Sequence, residues 1–177
     1  MVLSVNLIRA PFDRVEVLAR LRPAFEEQRS LVLPSACDAR ALRAPRLREF
    51  YVANRGRYET AELEPREELR AFAEALTGLR LAHAWLRLFR FGHRDYSLYL
   101  DDALTRIERG VELTLDLSRK SAGPPEIWST GLTVPQVPGL LALVERAPAV
   151  YRCDRYFTAA VGRAKVLRLR AAFALAD

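Results

Sequence analysis

The chain has 177 residues, half of them hydrophobic, and a formal net charge of +6 that is carried mostly by arginine. This length and composition fit one soluble globular domain with a sizeable core. No apolar run approaches the roughly 20 residues that a membrane helix needs, and the N-terminal segment lacks the apolar core of a signal peptide. We therefore predict a cytoplasmic protein.

The positive charges are spread along the chain and form no polybasic tail. They indicate either an arginine-rich surface without a partner or a surface for an anionic partner. Cys37 and Cys153 stand far apart and belong to no CxxC motif or metal-ligand cluster, so we predict two reduced thiols.

The N-terminal half combines short strands with two predicted helices. Apolar residues predict strands at residues 2–9 and 30–34. Helical spacing over residues 12–22 predicts a first helix that Pro23 ends or kinks, and AFEEQ can add another turn. A second helix is predicted over residues 65–77, because proline and two glutamates suit its first turn and a glycine follows its last turn.

After Gly78 the periodicity changes from helical to extended. Residues 79–91 form a long apolar run that predicts a strand buried on much of both faces. In residues 111–117 the sequence VELTLDL alternates apolar and polar side chains, which predicts a half-buried strand. Shorter strands are predicted in EIWSTGLTV, LLALVER, VYRCDRYF and KVLRLRAAFAL, with turns between them.

Strands at this spacing are typical of a sandwich or barrel, and the N-terminal helices are expected to pack against one sheet. No linker, repeat or low-complexity tract divides the sequence. We therefore predict a single domain over residues 1–177, with a helical and strand support at residues 1–78 and a β core at residues 79–177.

The order of these elements resembles the iron(II)- and 2-oxoglutarate-dependent oxygenases, in particular the prolyl-hydroxylase-like group. The resemblance covers roughly residues 69–173 and rests on the helix ending in LTG, then GHRDYSLYLDD, VELTLDLS, PGLLALVER, YRCDRYF and VLRLR. It implies an α+β fold with a double-stranded β-helix (jelly-roll) core and N-terminal helices packed on one sheet.

In that family, two histidines and one carboxylate bind iron(II) and leave positions for 2-oxoglutarate and oxygen. The HxD pair of the family matches either His93 with Asp95, or Leu100 with Asp102, where only the carboxylate is kept. The second histidine position falls near residues 151–153, and no histidine follows His93. The resemblance thus implies a degenerate metal site with His93, Asp95 and Asp102 as candidate ligands. Iron(II) and 2-oxoglutarate are expected as cofactors only if the activity of the family is retained.

These residues also have structural interpretations. His93 can be a surface-loop histidine beside a glycine, and His83 can be a core histidine. Asp101 and Asp102 can cap a short helical stretch.

A basic residue on the last strands binds 2-oxoglutarate in the family, and Arg163 and Arg168 are the candidates here. Arg168 and Arg170 share one face of the last strand. If that face points to solvent, it is a charged sheet face without a ligand. If it points into the barrel, each arginine needs a bound anion or an acidic partner such as Asp102 or Asp154.

Three functions compete. The first is a divergent oxygenase-like protein, active as a 2-oxoglutarate-dependent dioxygenase or inactive. The second is a non-catalytic jelly-roll binding module for an anionic small molecule or a protein partner. The third, least favoured, is nucleic-acid binding through arginines and aromatic residues, because core packing explains most of the aromatic residues.

Overall fold

A computed structural model describes residues 7–38, 40, 42, 45–99, 101–102 and 107–176. The two α-helices are α1, Val15–Gln28, and α2, Glu67–Thr77. The strands are β1 Ser30–Leu33, β2 Arg48–Val52, β3 Gly56–Glu62, β4 Leu81–Phe91, β5 Tyr96–Ser97, β6 Gly110–Asp116, β7 Glu126–Trp128, β8 Thr133–Val134, β9 Leu141–Arg146, β10 Arg152–Asp154 and β11 Val166–Leu175. Of the strand predicted at residues 2–9, only the end is described, where Ile8 forms an isolated bridge with Cys37.

Both helices form where the apolar spacing predicts them, and α1 extends beyond residue 22 to Gln28. The helix continues through Pro23, because Leu18 and Phe25, on either side of the proline, are buried in the core and offset the lost hydrogen bond. Helix α2 ends as predicted at Gly78, which has a φ of 73° and caps the last turn. The two helices pack against each other, and each also contacts a strand of the sheet.

The strands of the described chain form one antiparallel sheet in the order β1-β9-β6-β11-β4-β3-β5-β10-β7-β8, with β2 paired to β3. Arg170 on β11 nevertheless contacts Glu126 on β7 and Asp154 on β10, which lie far from β11 in this order. The sheet therefore curls over itself into a nearly closed barrel. This is the predicted double-stranded β-helix with two helices outside it.

The central strands have one apolar face and one polar face, and both are buried. Leu113, Leu115 and Leu169 face the helices in the main hydrophobic core. Glu112 and Thr114 on the opposite face of β6 are 1% and 4% exposed. The prediction that β6 is half-buried was therefore wrong, because β7 and β10 close over its polar face.

Two further details concern shorter elements. The segment EIWSTGLTV is not one strand but the short hairpin of β7 and β8. Strands β1 to β3 come from the N-terminal half of the chain: β1 pairs with β9, and β3 pairs with β4 and β5. None of the helices in the described ranges is long and apolar enough to cross a membrane.

Candidate functional site

The barrel interior contains a cluster of buried charged side chains, here called the barrel ion cluster. Its members are Arg146, Arg152, Arg168, Arg170, Asp102, Glu112, Glu126 and Asp154, and each is at most 3% exposed. The alternation of β6, β7, β9, β10 and β11 places all of these residues except Asp102 on the inward faces, since successive side chains of a strand point to opposite sides. Asp102 lies between β5 and β6. Four arginines face four carboxylates, so the cluster is balanced in charge.

Asp102 lies at one end of the cluster and is held by arginines. Nη2 of Arg146 donates to its Oδ2 over 2.8 Å, and the backbone N–H of Arg152 donates to the same oxygen over 2.8 Å. Nη2 of Arg152 donates to Oδ1 over 3.1 Å. Both oxygens of the Asp102 carboxylate are therefore engaged by protein donors.

Arg152 connects Asp102 to two further carboxylates. Its Nε donates to Oε1 of Glu112 over 2.8 Å, and its Nη1 donates to Oδ2 of Asp154 over 3.2 Å. Burial alone lowers the pKa of this guanidinium, but Glu112 and Asp102 outweigh that effect and raise the pKa well above its usual range. Arg152 is therefore a fixed cation at the centre of the cluster.

Asp154 accepts hydrogen bonds from the two arginines of β11. Arg168 forms a very short contact with its Oδ1, and Nη2 of Arg170 lies 2.7 Å from Oδ1 and 2.9 Å from Oδ2. Burial alone raises the pKa of Asp154, but Arg170, Arg168 and Arg152 outweigh it and lower the pKa to about 2. Arg168 also donates from Nη2 to the carbonyl oxygen of Pro124 over 3.2 Å, so both of its terminal nitrogens have an acceptor.

Aromatic side chains cover the cluster where carboxylates do not. The guanidinium of Arg170 lies 4.9 Å from the ring centroid of Phe89, and that of Arg146 lies 5.1 Å from the ring of Trp128. Trp128 also donates from Nε1 to Glu126 over 2.8 Å. Such contacts are favourable because the ring face is electron-rich.

Of the predicted metal ligands, only Asp102 belongs to the cluster. His93 is exposed in the turn between β4 and β5. Asp95 closes that turn by accepting a hydrogen bond from the backbone N–H of Gly92 over 2.7 Å, and burial raises its pKa. Leu100 lies outside the described residues. The assignment of His93, Asp95 and Asp102 as metal ligands stays a prediction.

The donors around Asp102 do not fit an iron(II) centre. Its two oxygens already accept hydrogen bonds, and the chain carries a guanidinium, that of Arg152, in the segment where the second histidine was expected. His83 lies outside the cluster, with its ring 5.1 Å from that of Phe173. Within the ranges that the structure describes, no three histidine, cysteine or acidic side chains are grouped to hold a metal ion.

The two arginines predicted to anchor an anion lie in different places. Arg168 faces the interior and has Asp154 as its acidic partner, which is one of the two predicted alternatives for an inward arginine. The alternative in which the face of Arg168 and Arg170 points to solvent is wrong, because they are 2% and 0% exposed. Arg163 is exposed and lies before β11, outside the cluster.

Sequence reasoning missed Glu112, Glu126 and Arg146 as members of the cluster. Glu112 was assigned to the exposed face of β6, and Arg146 was treated as the end of an apolar strand. The available signal was the pairing of opposite charges on strands whose other face is apolar. That pattern predicts a buried polar layer, since isolated buried charges are strongly unfavourable.

Comparisons with known proteins place the fold. No protein-family model matches the chain, and no curated protein sequence matches it. Among solved structures, a 2OG-Fe(II) oxygenase family oxidoreductase from Burkholderia pseudomallei is similar with a TM-score of 0.68 and 12% identity, over 89% of this chain and 90% of that one.

Two further structures are similar. A prolyl-4-hydroxylase from Pseudomonas putida has a TM-score of 0.62 and 16% identity, over 90% of this chain and 100% of that one. The non-heme alpha ketoglutarate dependent epimerase SnoN from nogalamycin biosynthesis has a TM-score of 0.63 and 15% identity, over 92% of this chain and 85% of that one. The chain thus has the double-stranded β-helix fold of the iron(II)- and 2-oxoglutarate-dependent oxygenases.

Proposed function

We propose that this protein is a non-catalytic binding module that uses the oxygenase fold for an anionic small molecule. The observation that carries the proposal is the engagement of Asp102, one of the candidate metal-binding carboxylates, by Arg146 and Arg152. These guanidinium groups supply positive charge next to the carboxylate, and both carboxylate oxygens already accept hydrogen bonds.

Among the described residues, the arginines of β11 are already paired with carboxylates, which makes them poor anchors for 2-oxoglutarate. Arg168 is paired with Asp154 and Pro124, and Nη2 of Arg170 is paired with Asp154 and Glu126. Nε and Nη1 of Arg170 have no hydrogen-bond partner, but they are buried and the guanidinium lies over the ring of Phe89. An acid that binds the paired nitrogens must displace a carboxylate from a buried pair, which is costly because the displaced charge loses its partner. This supports a ligand site outside the barrel.

The distribution of charge supports an anionic ligand. The barrel ion cluster contains equal numbers of arginines and carboxylates, so the net charge of +6 arises from residues outside it. Cations on the exterior attract anions without any change in the interior. A cytoplasmic location belongs to the same proposal and is supported by the free thiols of Cys37 and Cys153.

The test is an iron and 2-oxoglutarate assay on protein purified without oxygen. We expect less than a tenth of an equivalent of retained iron(II), no turnover of 2-oxoglutarate, and no rise of the melting temperature with iron(II) and 2-oxoglutarate together, since ligands that bind the native state raise it. An active prolyl hydroxylase measured in parallel controls the assay. Stoichiometric iron with consumption of 2-oxoglutarate would overturn the proposal.

A further inference from the structure

A cleft of about 890 Å³ opens on the outer side of the barrel, where β6 ends and β11 begins. Leu117, just after β6, and Leu167, in β11, lie side by side in it and are joined by a backbone hydrogen bond of 2.8 Å. Leu167 points away from the barrel ion cluster, because its neighbour Arg168 points inward. The cleft and the cluster are therefore separate sites on opposite faces of the sheet.

The polar side chains of the cleft are mostly cationic. Its cations are Arg40, Arg90, Arg119, Lys120, Arg163 and Lys165, and no carboxylate lines it within the described residues. Arg90 is neutralised by Glu59, with two hydrogen bonds of 2.6 Å, and Arg40 pairs with Asp38 over 3.2 Å.

Three of these cations have no acidic partner among the residues that the structure describes. Arg119, Lys120 and Arg163 are exposed and form no ion pair there. They come from two segments, one after β6 and one before β11, that the pairing of Leu117 with Leu167 brings together. Unpaired cations that converge on one concavity raise the local concentration of anions.

The floor of the cleft is apolar. Leu42, Leu47 and Leu167 line it, are partly exposed, and pack against the main core. A pocket of this size suits a small organic molecule, since such sites are typically 300–1,000 Å³ and are lined by apolar side chains with a few placed polar groups. Inorganic phosphate cannot cover these leucines, but a ligand with an apolar body can.

We propose that this cleft binds a small organic anion, a carboxylate, sulfonate or phosphate ester, that has an apolar body. The anionic group contacts Arg119, Lys120 and Arg163, and the apolar body covers Leu42, Leu47 and Leu167. This inference rests on the proposed binding function and names the site and ligand class for it. Arg163 thus remains an anion-binding residue, but in this cleft and not in the barrel.

The probe is the fluorescent sulfonate 1-anilinonaphthalene-8-sulfonate, displaced by octanoate, by octanol or by inorganic phosphate. We expect octanoate to displace it at concentrations at least ten-fold lower than octanol or phosphate, because only octanoate has both the charge and the apolar body. Raising the salt concentration weakens binding, since the exposed charges are screened.

Two variants and one control locate the site. Arg163→Glu and Lys120→Glu each reduce the affinity for the probe about ten-fold or more. The control Arg20→Glu, an exposed cation of α1 outside the cleft, changes it less than two-fold. Leu47→Ser weakens the binding of octanoate and leaves the binding of phosphate unchanged. Circular dichroism melts check that each variant is folded.

Equal effects of Arg20→Glu and Arg163→Glu overturn the assignment, and so does displacement by phosphate as effective as that by octanoate. Single-stranded DNA that competes better than octanoate also overturns it in favour of a nucleic-acid surface. None of these outcomes concerns iron or 2-oxoglutarate. A failure of the cleft is therefore distinguishable from a failure of the non-catalytic assignment, which depends on those two ligands.

Discussion

Arg152 donates hydrogen bonds to Asp102, Glu112 and Asp154 from one guanidinium. Arginine suits this position because its planar group offers five donors in fixed directions and stays charged. A buried ion cluster adds little net stability compared with apolar packing, but removal of one member leaves the others without partners. A single substitution in the cluster is therefore expected to cost more free energy of unfolding than the whole cluster contributes relative to an apolar core.

Replacing Arg152 by methionine tests this expectation. The side chain keeps much of its length but loses its charge, so three carboxylates lose a shared cation, and we expect a loss of about 3–5 kcal/mol in the free energy of unfolding. The exposed control Arg163→Met should change it by less than about 0.5 kcal/mol. Urea denaturation at pH 7 measures both. A loss below about 1 kcal/mol for Arg152→Met would contradict the role given to the cluster.

Cys37 provides a second test at a single side chain. Burial and the nearby Asp116 raise the pKa of its thiol to about 12, and the thiol lies 3.6 Å from the carbonyl oxygen of Leu140. The thiolate is the reactive form, so at pH 8 we expect a disulfide reagent to modify Cys37 only after unfolding. The variant Cys153→Ser isolates this thiol. Rapid labelling of Cys37 in the folded variant would show that the core around it opens readily.

At the scale of the elements, β6 is held between β9 and β11 and has both faces covered. Gly110 begins this strand opposite Ala174, with a φ of 147°. A Cβ at Gly110 would collide with the backbone carbonyl oxygen of Phe173 on β11. Only glycine allows the two strands to approach this closely.

We expect Gly110→Ala to lower the free energy of unfolding by about 3 kcal/mol. The backbone of β11 must move away from the new Cβ, and the alanine must also adopt a φ that is strained for a residue with a side chain. Gly131→Ala is the matched control. Gly131 also has a positive φ, 88°, but a Cβ there meets no atom within 4 Å, so about 1 kcal/mol is expected from backbone strain alone. Equal losses in the two variants would show that the contact with β11 is not decisive.

The sequence predicted the elements better than their surroundings. Periodicity located β4, β6, β11 and α2, because it reports which side chains share a face. It does not report what covers that face. Strands β7 and β10, which close over the polar face of β6, have three residues each and are too short to give a periodic signal.

The same limit applies to the candidate site. Asp102 and Arg168 were identified from the order of elements. The partners of Asp102 are distant in sequence: Arg146, for example, lies 44 residues away, and only the curl of the sheet brings the two side chains together. The continuation of α1 through Pro23 has a similar origin, since burial of Phe25 depends on contacts that local propensity does not include.

At the scale of the whole molecule, a charge-balanced interior is enclosed by a positively charged exterior. The barrel excludes water from the cluster, which strengthens its ion pairs and makes their loss costly. The interior therefore acts as a polar core that depends on ionised carboxylates. The stability of the whole fold should respond to acid through this core.

We expect the free energy of unfolding to fall between about pH 4 and pH 2. The pKa of Asp154 is about 2 in the folded protein, against about 3.9 for aspartate in an unfolded chain. A lowered folded pKa stabilises the protein above the unfolded value, and the stabilisation is lost as the pH falls through the folded value. This carboxyl alone contributes roughly 2–3 kcal/mol over that interval.

Glu112 does not obscure the effect. Burial raises the pKa of Glu112, although Arg152 and Arg146 oppose the shift. A raised folded pKa changes the stability only above the unfolded value, so below about pH 4 Glu112 is protonated in both states and adds nothing to the pH dependence of stability.

Urea denaturation at pH 4.5, 3.5 and 2.5 measures how the free energy of unfolding depends on pH. The variant Asp13→Asn, at an exposed residue before α1, should reproduce the wild-type profile within experimental error, because it leaves the barrel ion cluster unchanged. A free energy of unfolding that stays constant from pH 4.5 to pH 2.5 would mean that Asp154 is not held ionised by the arginines of β10 and β11.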